Sequence, residues 1–432
     1  MIEASQDQNW YYTMLPLWLW SSAARKSFNK IMKNLRKKKS NIKYICPTKK
    51  YAFLLHEPMM LNHYENVWKA LGHSEFVIVL TEKFHVDENG EEKEGIPSFL
   101  NHITQEKYQT FDIQHIINSG IFFDYVVTNH PISGTSKSIK KTTKKDILKK
   151  LLNRIFIAFG RQPIWQYNVD IESLLPLQIG KKQIRYMYGA DLSDAWSLMG
   201  WNEIYDIFLC HGVNDERIVK ERFPGKTFIM GYPRYDDYFD SEIDLSSIKK
   251  EFYLSDQKKT LLWMPTLGGV GSSIPVYAKL IADLDDEFNV IVRPHPLSFV
   301  QEKDFIYELE KNNLKIDRNS TRNMNELFSA SDLIIADYGG TPFSSIFIGK
   351  NLIFLDVPGA DSMPINVDSS VLELKKHLPV FTPENIQNLP QFLNSQTSLD
   401  ENKKMIDYLF EKYFGSTRGG GSARVAKFLK SL

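Results

Sequence analysis

Residues 331–345, Ser331-Asp332-Leu333-Ile334-Ile335-Ala336-Asp337-Tyr338-Gly339-Gly340-Thr341-Pro342-Phe343-Ser344-Ser345, restrict the fold more than any other stretch of this chain. Leu333 to Ala336 is a short apolar run without helical period, the pattern of a strand buried on both faces of a parallel sheet. Asp337 closes it, and Gly339 and Gly340 allow a tight turn that can use positive φ. Thr341 then reads as an N-cap and Pro342 as the first helical residue, so a helix over 342–349 is expected, with the next strand at 351–355. Such a turn leaves backbone N–H groups unpaired, here those of Phe343, Ser344 and Ser345, and with the helix dipole they form a phosphate site. An ordinary strand-to-helix turn has the same grammar. A second signal upstream favours function: in Val290-Ile291-Val292-Arg293-Pro294-His295-Pro296 another buried strand ends in a cation and an imidazole, held extended between prolines.

The same grammar recurs along the chain. Strand-like runs at 50–55, 76–81, 123–128, 184–188, 207–210 and 227–230 are followed by polar or glycine turns, among them Asn129-His130-Pro131, Gly189-Ala190-Asp191, His211-Gly212 and Gly231-Tyr232-Pro233-Arg234. Strand, turn and helix in this rhythm mean a parallel α/β sheet, whose strand C-termini are where ligands bind. Residues 240–258 are charged and weakly patterned and read as a linker. A second unit starts with Thr260-Leu261-Leu262-Trp263-Met264-Pro265-Thr266, and the chain closes with an amphipathic helix over 423–432, expected to pack back on the first unit. Two Rossmann-like domains facing a cleft describe the GT-B architecture. The expected division is a basic and aromatic N-terminal segment at 1–43, an acceptor-side domain at 44–240 and a donor-binding domain at 258–432.

At 432 residues the chain can bury two sizeable cores. Its two cysteines, Cys46 and Cys210, lie far apart, which points to a reducing compartment, and the absence of any Cys/His cluster argues against a metal site. A formal net charge of +1 hides an uneven distribution. From Arg25 to Lys43 every charged residue is basic, and residues 137–154 carry Lys137, Lys140, Lys141, Lys144, Lys145, Lys149, Lys150 and Arg154 against Asp146. The stretch Trp10-Tyr11-Tyr12-Thr13-Met14-Leu15-Pro16-Leu17-Trp18-Leu19-Trp20 is too short to span a bilayer and is broken by Pro16. Aromatics beside lysines suit attraction to an anionic membrane surface, and a solvated basic tail has the same composition. The expectation is a cytoplasmic protein, peripheral on the inner face of a bacterial membrane. No nucleic-acid module is recognisable, so nucleic acid is not an expected partner.

Five fragments in order resemble the CDP-glycerol glycerophosphotransferases of teichoic-acid and capsule synthesis. They are Met230-Gly231-Tyr232-Pro233-Arg234-Tyr235-Asp236, Leu261-Leu262-Trp263-Met264-Pro265-Thr266, Val292-Arg293-Pro294-His295-Pro296, Ser331-Asp332-Leu333-Ile334-Ile335-Ala336-Asp337-Tyr338 and Gly421-Ser422-Ala423-Arg424-Val425. The resemblance covers roughly residues 184–432. It implies transfer of glycerol- or ribitol-phosphate from a CDP-linked donor to a hydroxyl of a polymer or lipid-linked acceptor, with no cofactor beyond the nucleotide-linked donor. It makes His295 an active-site histidine, places Arg293 beside the donor phosphates, and puts the donor pyrophosphate at the turn formed by Asp337, Gly339, Gly340, Thr341, Ser344 and Ser345. Tyr188, Pro233, Arg234 and Asp236 belong to the matching motifs. The resemblance fails at one point: Tyr188 stands where the family keeps a histidine base. The acceptor-side base is therefore expected at Asp191, in register with that motif, or at His211, one strand later. A glycosyltransferase using a CMP-linked sugar in capsule or lipopolysaccharide synthesis, with Asp191 as nucleophile, is the alternative, and a non-catalytic scaffold of polymer export is a third reading.

Overall fold

The computed structural model describes residues 33–34, 49–85, 95–130, 174–193, 197–240, 242–319, 322–415 and 417–432. The aromatic stretch at 10–20, nearly all of the basic segment at 25–43 and the whole basic segment at 137–154 lie outside them. Among the described residues no helix is long and apolar enough to cross a membrane.

Two parallel sheets carry the fold. The first has β1 (Tyr51–Leu55), β2 (Phe76–Leu80), β3 (Thr110–Asp112), β4 (Phe123–Thr128), β5 (Gly180–Tyr186), β6 (Ile207–Cys210) and β7 (Lys226–Ile229), in the order β3-β2-β1-β4-β5-β6-β7. The second has β8 (Thr260–Met264), β9 (Asn289–Val292), β10 (Lys315–Ile316), β11 (Leu333–Ala336), β12 (Asn351–Leu355) and β13 (Val380–Phe381), in the order β10-β9-β8-β11-β12-β13. All neighbouring strands pair in parallel. β1, β2, β9 and β11 are buried along their whole length, which is why they read as unbroken apolar runs rather than alternating ones.

The helices that shape the site are α1 (Leu61–Leu71), α2 (Val213–Arg222), α3 (Ser246–Glu251), α4 (Ile274–Ala282), α5 (Met324–Ala330), α6 (Thr341–Ile348), α7 (Ser370–Lys375), α8 (Gln396–Tyr413) and α9 (Gly421–Ser431). The stretch read as a linker thus contains a helix, α3, whose Ile248 is buried in the second core.

α9 does pack back on the first half: Val425, Ala426 and Leu429 sit in the same core as Tyr64, Val67 and Trp68 of α1. Asp236 fastens its start. One carboxylate oxygen accepts the Gly421 N–H at 2.9 Å, and the other accepts the Ser422 N–H at 2.7 Å and hydroxyl at 2.5 Å. Asp236 therefore caps a helix more than 180 residues away instead of lining the cleft. A Cβ on Gly421 would come within 2.9 Å of the Met230 carbonyl, so only glycine lets α9 begin against the turn after β7.

Candidate active site

On the second sheet, the ends of three adjacent strands, β9, β8 and β11, converge. Asp337 follows β11 and is fully buried. It accepts the Thr266 N–H (2.9 Å), the Ser273 N–H (2.8 Å) and the Ser273 hydroxyl (2.7 Å). Burial lifts its carboxyl to about 7 against the pull of these bonds. Asp337 shapes the loop after β8 and is not a phosphate ligand, since its oxygens are occupied and a carboxylate would repel one.

The turn beyond it does leave amides unpaired, with the helix starting one residue earlier than the sequence implies. Gly340, not Thr341, is the N-cap of α6, and the Ser344 N–H already bonds the Gly340 carbonyl at 3.2 Å. The Ser344 and Ser345 hydroxyls bond back to the carbonyls of Gly340 and Thr341 at 3.4 and 3.0 Å. The amides without an intrahelical partner are those of Gly340, Thr341 and Phe343, because Pro342 has none; Gly340 is exposed, Thr341 half-buried and Phe343 fully buried. Gly339 makes the turn at φ +86, and Gly340 is exposed with open space where a Cβ would stand.

Arg293 departs from expectation. It is buried, and its guanidinium donates to the Asp317 carboxylate at 2.9 Å and the Asn319 carbonyl at 2.6 Å. Asp317 is fully buried and also receives Arg322 Nε at 3.0 Å. Arg293 is the core of an ion cluster behind the site rather than a hand reaching for phosphate. His295, two residues on, is only partly buried. Its Nδ1 accepts the Leu297 N–H at 3.2 Å, which leaves the ring proton on Nε2. Burial, helped by the nearby Arg293 charge, pushes the imidazole down to about 4, so at neutral pH it is an uncharged donor.

On the first sheet the segments after β5, β6 and β7 meet the second half. His211 follows β6 and is buried with its Nδ1 bonded to the Gly231 carbonyl at 2.9 Å. The ring proton is therefore on Nδ1, and Nε2, itself buried, carries a lone pair with no hydrogen-bond partner. Tyr232 stacks on the ring with centroids 3.9 Å apart and also packs on Phe347 of α6 at 5.5 Å. Burial lowers the imidazole to about 4; the bond to Gly231 opposes this and the Arg234 charge adds to it.

Asp191 is engaged elsewhere. The hydroxyl of Ser369, the N-cap of α7 in the second half, bonds its Oδ1 at 2.5 Å, while Ser370 N–H donates to the Leu192 carbonyl at 3.0 Å and Ser193 bonds the Ile365 carbonyl at 2.9 Å. Asp191 is a strut between the halves, with Oδ1 already committed to Ser369. Burial, opposed by the Ser369 bond, raises its carboxyl from 3.8 to about 6. The folded protein then holds this proton more tightly than the unfolded chain. The stability it supplies is complete below the ordinary value and is lost as pH rises to about 6. Asp191→Asn should flatten urea-unfolding midpoints across that window while sparing the rest of the profile. An unchanged slope would exclude Asp191 as its source.

Two residues with no role in the sequence reading also stand here. His63, on α1, is buried, stacks on Tyr188 at 4.6 Å and through Nε2 accepts from Arg234 Nη1 at 3.3 Å. His130 at the end of β4 lies edge-on to His56 at the end of β1, with centroids 5.5 Å apart. The imidazole missing at Tyr188 thus has a neighbour from another element. The available signal was a polar residue on the buried face of α1, beside Tyr64 and one turn before Val67.

A family model described as CDP-Glycerol:Poly(glycerophosphate) glycerophosphotransferase matches residues 193–430. The chain belongs to this family. Tyr188 and Asp191 fall just before the matched residues, where the motif correspondence also fails. Among curated relatives of this glycerophosphotransferase-family chain, the teichoic acid glycerol-phosphate primase of Bacillus spizizenii is 30% identical over 144 residues, 32% of this chain and 36% of the relative. The teichoic acid poly(ribitol-phosphate) polymerase of the same organism is 30% identical over 135 residues, 29% of this chain and 21% of the relative. The aligned part is thus a minor share of each relative's length. The structure of the wall teichoic acid polymerase TagF superposes with a TM-score of 0.51 at 14% identity, covering 95% of this chain and 96% of that one. A UDP-GlcNAc 2-epimerase from Neisseria meningitidis gives 0.50 at 12% identity, covering 89% and 100%. These likenesses establish the GT-B fold.

Proposed function

We propose that this glycerophosphotransferase-family chain moves a polyol phosphate, glycerol- or ribitol-phosphate, from a CDP-linked donor to a hydroxyl of a polymer or lipid-linked acceptor. The observation that carries the reading is the first turn of α6, with the exposed Gly340 amide and the half-buried Thr341 amide on the same side of the sheet as the strand end that bears His295. The donor's pyrophosphate sits on this turn. The acceptor oxygen attacks the phosphorus that carries the polyol, its proton passes to His211 Nε2, and the bond from that phosphorus to the bridging oxygen breaks. His295 Nε2–H bonds the oxygen on which charge develops as CMP leaves. Neither histidine needs a different protonation state from the one its surroundings impose at neutral pH.

In this reading the product is a wall or capsule polymer, and the protein works on the inner face of the cell membrane. The basic residues of 25–43 and 137–154 and the aromatic stretch at 10–20 supply the attraction to an anionic surface, an interaction that weakens as salt rises.

The turn is tested by Gly340→Asp. Aspartate is a favoured N-cap, and the backbone φ of −84 with open space at Cβ admits it without strain. Its carboxylate would occupy the phosphate position. Calorimetric titration should give CDP affinity lowered about tenfold or more, with unfolding temperature unchanged or raised and Gly340→Ala binding normally. Equal CDP affinity in Gly340→Asp and the parent would mean that the phosphates lie elsewhere.

A further inference from the structure

We propose that Arg234, oriented by His63, is an anion site on the first-half face of the cleft and holds a phosphate of the acceptor. The inference rests on the transfer reading above and specifies its acceptor.

Arg234 is a largely enclosed cation without a counter-ion. One guanidinium nitrogen bonds His63 Nε2 at 3.3 Å, the group lies over the Tyr235 ring at 5.0 Å, and the titratable groups around it are the uncharged phenols of Tyr235, Tyr232, Tyr188 and Tyr186. Among the described residues no carboxylate stands within ion-pair distance of it. Arg293, Arg322 and Arg418 each reach an aspartate at 2.9–3.0 Å. Arg185 also lacks a carboxylate, but it is sealed, 2% exposed, with its guanidinium 4.0 Å from the Trp201 centroid and bonded to Asn202. A cation withdrawn from water is costly unless an anion joins it, and a guanidinium fits two phosphate oxygens at once. The donor phosphates already have α6.

The neighbours say which substrate brings the anion. His63 accepts from Arg234, so it is neutral with its proton on Nδ1, and it fixes the guanidinium by accepting rather than by charge. The Arg234 charge is felt at both His63 and His211. A phosphate there lies close to the lone pair of His211 that receives the acceptor's proton. An acceptor that fills both places carries a phosphate near its reacting hydroxyl, as the end of a polyol-phosphate chain does and a neutral sugar end does not. The Arg234 backbone carbonyl accepts from Asn325 of α5 at 3.3 Å, which ties this turn to the donor-side half.

The probe is sn-glycerol 3-phosphate, titrated into the full chain with and without saturating CDP. It should bind the parent, bind Arg234→Gln at least tenfold more weakly and bind Arg234→Lys in between, while all three bind CDP alike. In turnover, Arg234→Gln should raise KM for a glycerol-phosphate-ended acceptor at least tenfold with the donor KM unchanged. His63→Leu, which removes the positioning contact, should raise the same acceptor KM and leave kcat within a few-fold. Probe affinity unaffected by Arg234→Gln overturns the site. Loss of CDP binding in Arg234→Gln with probe binding intact also overturns it, because the anion is then the donor's. A parent that binds the probe but not CDP keeps this site and refutes the donor assignment instead.

Discussion

Replacing His211 with alanine should slow polyol-phosphate transfer by about two to four orders of magnitude, the usual reach of a positioned general base, while CDP affinity stays at the parent value. The tautomer is the reason for naming this residue. Nδ1 is committed to the Gly231 carbonyl at 2.9 Å, so the lone pair on Nε2 is the one part of the ring left for chemistry. Stacking on Tyr232 keeps the ring from turning. CMP release at saturating donor is the measurement, and His211→Gln makes a useful companion because it offers a hydrogen bond but no base. Near-normal turnover in His211→Ala would move the base to another group, and His130 would be the next to replace. An imidazole lowered to about 4 predicts an acidic limb set well below neutrality, so rate should be flat with pH from about 6 upward on this account.

Arg293→Ala should cost about 3 kcal/mol of stability and leave donor binding nearly untouched. The buried Asp317 would keep Arg322 and the Asn319 N–H but lose the guanidinium at 2.9 Å, and a buried carboxylate stripped of one of its two cations is expensive. Urea unfolding followed by far-ultraviolet circular dichroism measures the loss. CDP affinity below the unfolding transition should lie within a few-fold of the parent. The opposite pattern, normal unfolding with CDP binding abolished, would mean that Arg293 leaves Asp317 to take the phosphate.

Both sheets were legible because a strand buried on both faces has to be apolar throughout, as Leu333 to Ala336 and Phe76 to Leu80 are. The strands that escaped notice, β3, β10 and β13, are two or three residues long and stand at sheet edges, where a single paired neighbour imposes no apolar run. At the site, the sequence marked strand ends well and side-chain duties poorly. Asp191 reads as a free carboxylate until Ser369, far along the chain, is seen to bond it. Arg293 looks like a phosphate ligand until Asp317, beside an edge strand, claims it. Asp337 looks like part of the phosphate turn until Thr266 and Ser273 fill its oxygens. Each is a pairing across distant residues, and spacing carries no trace of it. His63 was hidden for a related reason, since a lone histidine on the packed face of a helix has no neighbour in sequence that advertises Arg234.

The return of α9 to the first half sets an order of assembly. α1 buries His63, Tyr64, Val67, Trp68 and Leu71, and α9 supplies Val425, Ala426 and Leu429 to the same core, so this face of the first half stays uncovered while residues 260–415 emerge from the ribosome. The second half, whose strands and helices lie within one continuous stretch, can close as soon as it is made. The first half is begun earlier and finished later, once Asp236 captures the start of α9. During synthesis the half that holds His211 and Arg234 remains open, and its wall of the cleft is the last to acquire its final shape.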